Sequence, residues 1–131
     1  RLPLTFIRRI ENLNGQIVYE SEATPEQVFA AENVAVLIGM MKQTLQTGTA
    51  RYANTLGFFK PAAGKTGTTS DTKDTWFVGF TPNTLTVTWT GYDNNDPTGL
   101  TGASGALPLW VRYMKDYTAR YSNDDFAWPD G

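Results

Sequence analysis

The chain has 131 residues, and its 11 Lys and Arg against 13 Asp and Glu give a net charge of −2. This balance leaves no basic excess for a phosphate backbone and argues against a nucleic-acid partner. The sequence contains no His and no Cys, which excludes Ser-His-Asp and Cys-His catalysis, imidazole or thiolate zinc sites, and disulfides. Any chemistry must therefore use Ser, Thr, Lys, Tyr, carboxylates or backbone amides.

The composition is typical of a globular protein, with 40% apolar and 13% aromatic residues. No apolar run approaches the roughly 18 residues of a membrane span, so we expect no membrane contact from this segment. The chain opens at Arg1 without a signal-peptide pattern. It begins within an apolar stretch that includes Leu4 and Phe6, and we therefore expect a piece of a longer polypeptide.

The first predicted element is a β-hairpin. Residues 4–10 and 16–19 are rich in apolar and β-branched residues, as strands are. Asn14-Gly15 lies between them and is typical of a type I′ turn, which needs positive φ at both positions. We expect two antiparallel strands joined at this dipeptide.

A long helix follows the hairpin. Residues 24–27, Thr-Pro-Glu-Gln, form a helix-capping pattern, although residues 28–29 are also compatible with an extended stretch. From about Ala31 the apolar residues recur with the helical period, and Gly48 is the stop signal. The predicted apolar face comprises Val34, Leu37, Ile38, Met41 and Leu45. Met40-Met41 and Trp110 are interpreted as core residues.

Three strands are predicted after a connector at residues 49–61. Residues 62–69 form a Thr-rich strand, and residues 76–80 read as a buried strand. Residues 84–90 alternate strictly, with Leu85, Val87 and Trp89 opposite the threonines, which is typical of a half-buried antiparallel strand.

The last predicted element is a helix after a polar loop at residues 92–103. Ser104 caps it, and its apolar face holds Leu107, Trp110, Val111, Met114 and Tyr117. Residues 1–119 form the folded segment, and residues 120–131 form a polar tail that we expect to be mobile. The fold class is α+β, an antiparallel sheet flanked by helices.

The tripeptide Gly64-Lys65-Thr66 suggests a phosphate-binding loop at first sight. That loop needs a glycine at position 59, where the sequence has Phe59. Pro61 also removes one backbone amide that would bind phosphate. We therefore reject a nucleotide-hydrolysing function, and we interpret the acidic residues of 93–96 as a solvated turn and not a calcium loop.

Lys65-Thr66-Gly67-Thr68 has a second interpretation as a substrate-binding strand. A Lys-Thr-Gly strand is one of three elements of penicillin-recognising serine enzymes, beside Ser-x-x-Lys and Ser-x-Asn. Because strand side chains alternate, Thr66 and Thr68 can direct both hydroxyls at a substrate carboxylate, with Lys65 on the other side or at the rim. Gly67 lets substrate lie against the backbone, and an edge N–H can form half of an oxyanion hole. The alternative is a Thr-rich strand without this role.

Several linked stretches carry a family resemblance. They are Ala-Gly-Lys-Thr-Gly-Thr-Thr-Ser at 63–70, Asp-Thr-Trp-Phe-Val-Gly-Phe at 74–80, Val-Thr-Trp-Thr-Gly-Tyr-Asp-Asn-Asn at 87–95, and Gly-Ala-Ser-Gly-Ala at 102–106. Residues 14–19 and 47–51 continue the likeness. Over residues 3–116 the chain resembles class A penicillin-binding proteins, the bifunctional glycosyltransferase/transpeptidases of peptidoglycan synthesis. The implied fold is β-lactamase/transpeptidase-like, represented by the C-terminal portion of the domain.

The resemblance implies a serine D,D-transpeptidase. In that family a serine attacks the D-Ala-D-Ala bond of a stem peptide, and an amine of a neighbouring strand resolves the acyl-enzyme; β-lactams acylate the same serine. Thr66 and Thr68 would bind the terminal carboxylate, and the Thr68 amide would complete the oxyanion hole. Lys65 and Gly67 match the remaining motif positions, and Lys65 would support the charge network around the nucleophile. The implied location is the periplasmic face of the inner membrane, with the membrane anchor outside this chain. The resemblance implies that the reaction needs no cofactor.

The family's nucleophile motif is missing from its expected place. The one Ser-x-x-Lys match, Ser70 to Lys73, follows the strand in a polar stretch, and no Ser-x-Asn occurs. We expect a solvated turn at Ser70 and a nucleophile supplied by the upstream half of the domain, so that this chain alone is inactive. The alternative is a non-catalytic cell-wall or β-lactam-binding module. A related carboxypeptidase or β-lactamase is disfavoured by residues 74–77 and 92–95.

Overall fold

The computed structural model describes residues 1–22, 24–120 and 124–129, in two compact units, Arg1–Ala31 and Glu32–Gly131. The first unit contains the antiparallel strands β1 (Arg9–Glu11) and β2 (Ile17–Glu20), which confirms the predicted hairpin. Residues 24–30 hold no helix, so the capping pattern at 24–27 does not open one. No helix in the described ranges is long and apolar enough to cross a bilayer.

The hairpin turn differs from the prediction. Gly15 has a φ of +76°, but Asn14 does not have positive φ, so the turn is not type I′. The Gly15 N–H donates to the Asn12 carbonyl at 3.0 Å. The Asn12 side-chain Oδ1 accepts hydrogen bonds from the N–H groups of Asn14 and Gln16. This side chain stabilises a longer loop in which only the glycine is left-handed.

Helix α1 (Ala31–Gln46) lies where the helical period predicts it. Its burial is concentrated at the C-terminal end, where Leu45 is buried and Met41 is half-buried. Met40 is 59% exposed, so its assignment to the core is wrong. Since both methionines share the helix but lie about 100° apart around it, only one of them can face the core. The short helix α2 (Tyr52–Thr55) follows within the predicted connector.

The sheet consists of the three predicted strands. They are β3 (Ala63–Thr68), β4 (Thr75–Phe80) and β5 (Leu85–Thr90), all antiparallel in the order β3-β4-β5. Thr66 pairs with Phe77, and Phe77 pairs with Thr88. Helix α3 (Ala106–Arg120) packs against β4 and β5. The α+β class, with an antiparallel sheet and flanking helices, is thereby confirmed.

The buried face of β5 is the threonine face, opposite to the expectation from its apolar pattern. Leu85, Val87 and Trp89 are 63%, 50% and 42% exposed. Thr88 faces α3 instead, and its Oγ1 donates to the Ala106 carbonyl at 3.0 Å. Alternation predicts two faces but not which of them a helix covers. Threonine can line the covered face because helix carbonyls accept its hydroxyl hydrogen.

Trp110 of α3 is the centre of the core. Its ring is fully buried and lies 5.0 Å from the rings of both Phe58 and Phe77, in edge-on contacts. Its Nε1 donates to the Gly79 carbonyl at 3.3 Å. A Cβ at position 79 would lie 2.5 Å from the indole, so this strand glycine makes room for the ring. The predicted apolar face of α3 is confirmed, but Ser104 accepts from the Thr101 N–H instead of capping the helix.

The described part of the tail, residues 124–129, packs against other parts of the second unit. Phe126 is 8% exposed, and its ring contacts that of Phe80 edge-on at 5.7 Å. Lys42 Nζ lies 5.4 Å from the ring centres of both Phe126 and Trp128 and 3.0 Å from Asp125 Oδ1. Residues 124–129 are therefore not the free tail that was expected. Residues 121–123, 130 and 131 lie outside the described residues, and the boundary at residue 119 stays a prediction.

We predict that the carboxyl group of Asp125 has a lowered pKa and that this lowering depends on Lys42. The hydrogen bond from Lys42, followed by that from the Phe126 N–H, lowers the pKa of Asp125 below its ordinary value of 3.8. The stabilisation is present above that ordinary value and is lost as the pH falls through the lowered pKa of the folded state. A carboxyl-detected NMR titration should find the lowered pKa, and Lys42→Met should bring it back towards 3.8. An unchanged pKa in this variant would contradict the assignment to Lys42.

Candidate functional site

Strand β3 lies at an edge of the sheet and pairs only with β4 among the described residues. The Gly64 carbonyl accepts from Thr44 Oγ1 at 2.6 Å, and the Thr66 carbonyl accepts from Lys65 Nζ at 2.9 Å. These acceptors are therefore turned away from β4. Since main-chain groups alternate in an antiparallel pair, the N–H and C=O of Thr68 belong to the same free edge. The Thr68 N–H, to which the family resemblance assigns an oxyanion-hole role, therefore lies on this free edge.

The Thr66 hydroxyl is held by a residue from outside the sheet. Thr66 Oγ1 lies 2.9 Å from Thr49 Oγ1, and either oxygen can be the donor. Thr49 follows α1, and the adjacent Ala50 is fully buried, with its N–H bonded to the Thr44 carbonyl at 2.8 Å. Because two hydroxyls carry two hydrogens and their mutual bond uses one, the pair retains one O–H donor for a ligand.

The Thr68 hydroxyl is held by a residue of the loop that precedes α3. The Gly102 N–H donates to Thr68 Oγ1 at 2.9 Å. The Thr68 side chain is exposed, and its own hydroxyl hydrogen has no acceptor among the described residues. Gly102 lies against the sheet so closely that a Cβ there would be 2.7 Å from the carbonyl oxygens of Gly67 and Trp76. A glycine is therefore needed to bring this amide to Thr68.

The two threonines are two residues apart on one strand face, a separation of about 6.6 Å. Hydrogen bonds of about 2.7 Å from both sides of a carboxylate can bridge such a separation. Lys65 alternates to the opposite face, is exposed, and carries a positive charge within reach of the same edge. Two hydroxyl donors, an edge amide and an ammonium group are suited to binding a carboxylate.

The remaining predicted candidates lie elsewhere. Ser70 begins a 3₁₀ turn (Ser70–Thr72) with positive φ at Asp71 and Thr72. Ser70 is exposed and no buried helix brings Lys73 onto a shared face with it, as expected for a solvated turn. Within the described ranges no cluster of three or more acidic side chains could hold a metal ion.

Sequence reasoning did not assign a role to Thr49 or Gly102, which position the two threonines. The signal was present, because residues 47–51 and 102–106 belong to the stretches that carry the family resemblance. No pattern in the sequence indicates that Thr49 contacts Thr66 or that Gly102 contacts Thr68. Those pairings span 17 and 34 residues and are visible only in the fold.

Comparison with known proteins identifies the family. Residues 1–108 match the family model described as the penicillin-binding protein transpeptidase domain. The chain belongs to this family. The resemblance to the C-terminal part of the transpeptidase domain of class A penicillin-binding proteins is thereby confirmed.

Curated relatives of this chain are named as penicillin-binding proteins. It is 40% identical over 126 residues to penicillin-binding protein 1A of Aquifex aeolicus, covering 95% of this chain and 17% of the relative. It is 40% identical over 121 residues to penicillin-binding protein 1B of Escherichia coli, covering 90% and 14%. The chain therefore spans about a sixth of the length of these relatives.

A solved structure supports the fold of this chain. The crystal structure of penicillin-binding protein 1A from Haemophilus influenzae matches 98% of the chain and 25% of that protein, with a TM-score of 0.79 and 20% sequence identity. The transpeptidase fold is thus shared at low sequence identity.

We predict that Gly102→Ala destabilises the protein and disturbs Thr68. The new Cβ would meet two backbone oxygens at 2.7 Å, and relieving such overpacking costs about 1–3 kcal/mol. Denaturant unfolding measures the loss. Gly39→Ala in α1 is the control, because its Cβ would meet only Trp128 at 3.9 Å and a helical Gly→Ala change is expected to stabilise by about 0.5–1 kcal/mol. Equal effects of both changes would contradict the close approach at Gly102.

Proposed function

We propose that this chain supplies the substrate-binding strand of a serine D,D-transpeptidase that cross-links peptidoglycan stem peptides and is acylated by β-lactams. The observation that carries the proposal is the pair of threonines on the free edge of β3, each held by a different outside residue, with donor hydrogens left over. A terminal carboxylate of a D-Ala-D-Ala peptide, or the carboxylate of a β-lactam, has the charge and the size for these donors.

The same edge would serve the acylation step. With the carboxylate on Thr66 and Thr68, the scissile carbonyl lies beside the strand, where the Thr68 N–H can donate to the developing oxyanion. Gly67 has no side chain to separate the peptide from the backbone. Lys65 adds positive potential for the carboxylate and for the charge network around the nucleophile. Thr66, Gly67 and Lys65 thus bind and orient the peptide, and Thr68 also acts in catalysis with Lys65.

The nucleophilic serine would come from the upstream half of the same domain. Ser70 is exposed on a 3₁₀ turn that offers its hydroxyl no buried lysine. In support of a covering partner, the sheet face opposite α3 exposes Trp76, Val87 and Trp89, a contiguous apolar surface that a soluble protein normally buries. We further propose a periplasmic location, with the membrane anchor outside this segment. The proposed reaction needs neither a nucleic acid nor a cofactor.

Labelling with a fluorescent penicillin tests this proposal. The isolated chain should take no covalent label, and the full-length polypeptide that contains it should be labelled. Label on the isolated chain at Ser70 would overturn the assignment of the nucleophile. Reversible penicillin binding without label in the full-length polypeptide would favour the alternative, a non-catalytic cell-wall or β-lactam-binding module.

Thr66→Val tests the carboxylate-binding role in the full-length polypeptide. The variant removes one charge-assisted hydrogen bond, so the second-order rate constant of acylation should fall about tenfold or more, while the fold is kept because valine has the shape of threonine. The rate is measured by stopped labelling reactions with the fluorescent penicillin.

The matched control for Thr66→Val is Thr86→Val. Thr86 lies on the same face of the sheet, but among the described residues its hydroxyl donates only a weak hydrogen bond, to Met114 Sδ at 3.5 Å. We expect an acylation rate within twofold of the parent for this control. Unchanged acylation in Thr66→Val would remove the carboxylate-binding role of this residue.

A further inference from the structure

A cavity of about 640 Å³ lies next to the threonine pair. It is open to solvent and is lined by Thr47, Gly48, Thr49, Arg51, Tyr52, Thr55 and Ala103. Two of these residues connect it to the site, because Thr49 contacts Thr66 and Ala103 follows Gly102, which bonds Thr68. The cavity therefore lies directly beside Thr66 and Thr68, the proposed carboxylate-binding residues.

The cavity is positively charged. Arg51 is exposed and takes part in no ion pair among the residues that the structure describes. No acidic side chain belongs to the lining. The guanidinium presents several N–H donors in a planar fork that fits a carboxylate. The half-exposed ring of Tyr52 adds an apolar surface beside it, so the lining suits an anionic peptide.

The backbone that carries Arg51 is fixed. Ala50 and Ala53 on either side are fully buried, and the Arg51 N–H and C=O bond to Gly48 and Asn54. A side chain projecting from such a segment keeps its starting point relative to β3. A fixed backbone position allows the Arg51 side chain to favour ligands whose carboxylate lies within its reach.

We infer that Arg51 and this cavity bind the acceptor strand, through a carboxylate of the amine-bearing peptide; this inference rests on the proposed function. In the second half of that reaction the acceptor nitrogen forms the C–N bond to the acyl carbon. The ester C–O bond to the seryl oxygen breaks, and a proton of the amine ends on that oxygen. The incoming amine takes the place of the departed amine, so the rest of the acceptor extends past Thr66 and Thr68, where the cavity lies.

The test compares aminolysis with hydrolysis in the full-length polypeptide. A peptide donor is supplied with increasing amounts of an amine-bearing acceptor peptide that carries a carboxylate, and cross-linked and hydrolysed products are quantified. For Arg51→Gln the ratio of aminolysis to hydrolysis at low acceptor concentration should fall about tenfold, through a higher KM for the acceptor. Acylation by fluorescent penicillin, which involves no acceptor, should change less than twofold and shows that the variant is folded.

Two controls sharpen the test. With an acceptor whose carboxylate is replaced by a carboxamide, parent and Arg51→Gln should give the same ratio. Arg112→Gln, an exposed arginine on α3 that lines a different cavity, should behave as the parent with both acceptors. An unchanged ratio in Arg51→Gln with acylation intact would overturn the acceptor site and leave the proposed function standing. Absence of acylation in the parent would instead overturn the proposed function.

Discussion

The packing of Trp110 is the interaction on which the candidate site depends. Its ring joins Phe58, which follows α2, to Phe77 of β4, and its Nε1 is bonded to the Gly79 carbonyl. The segment after α1 and the sheet are therefore fixed to the same buried ring. The contact between Thr49 and Thr66 joins these two parts of the chain, so its geometry follows from the packing of one side chain on α3.

Both threonines of β3 are positioned without being saturated. Thr49 holds one hydroxyl by a bond that either oxygen can donate, and the Gly102 amide holds the other by using it as an acceptor. In each case the protein fixes the oxygen and leaves a hydrogen for a ligand. Such preorganisation would lower the cost of ordering the donors in the proposed binding of a carboxylate.

The sequence predicts well what depends on local pattern. The three strands, the long helix and the last helix follow from local composition and periodicity, and alternation predicts that Thr66 and Thr68 lie on one face of their strand. Two predictions that depend on which surface a neighbouring element covers are wrong. The apolar face of β5 is exposed because α3 covers the threonines, and Met40 is exposed because Met41 takes the inward position. The family was recognisable because several short stretches of this sequence match the family's motifs. The pairing of Thr49 with Thr66 and of Gly102 with Thr68 comes from tertiary contacts that no sequence spacing predicts.

The uncovered sheet face also determines how this polypeptide behaves when it is handled alone. Trp76 and Trp89 lie side by side there, with ring centres 6.2 Å apart, and Trp89 Nε1 donates to Asp74 at 2.9 Å. Next to them β3 offers unpaired main-chain groups to any extended chain that arrives. A preparation of this segment is therefore expected to self-associate. When another chain covers this face, the fluorescence of Trp76 and Trp89 should shift to shorter wavelengths, because their indole rings are then no longer exposed to water.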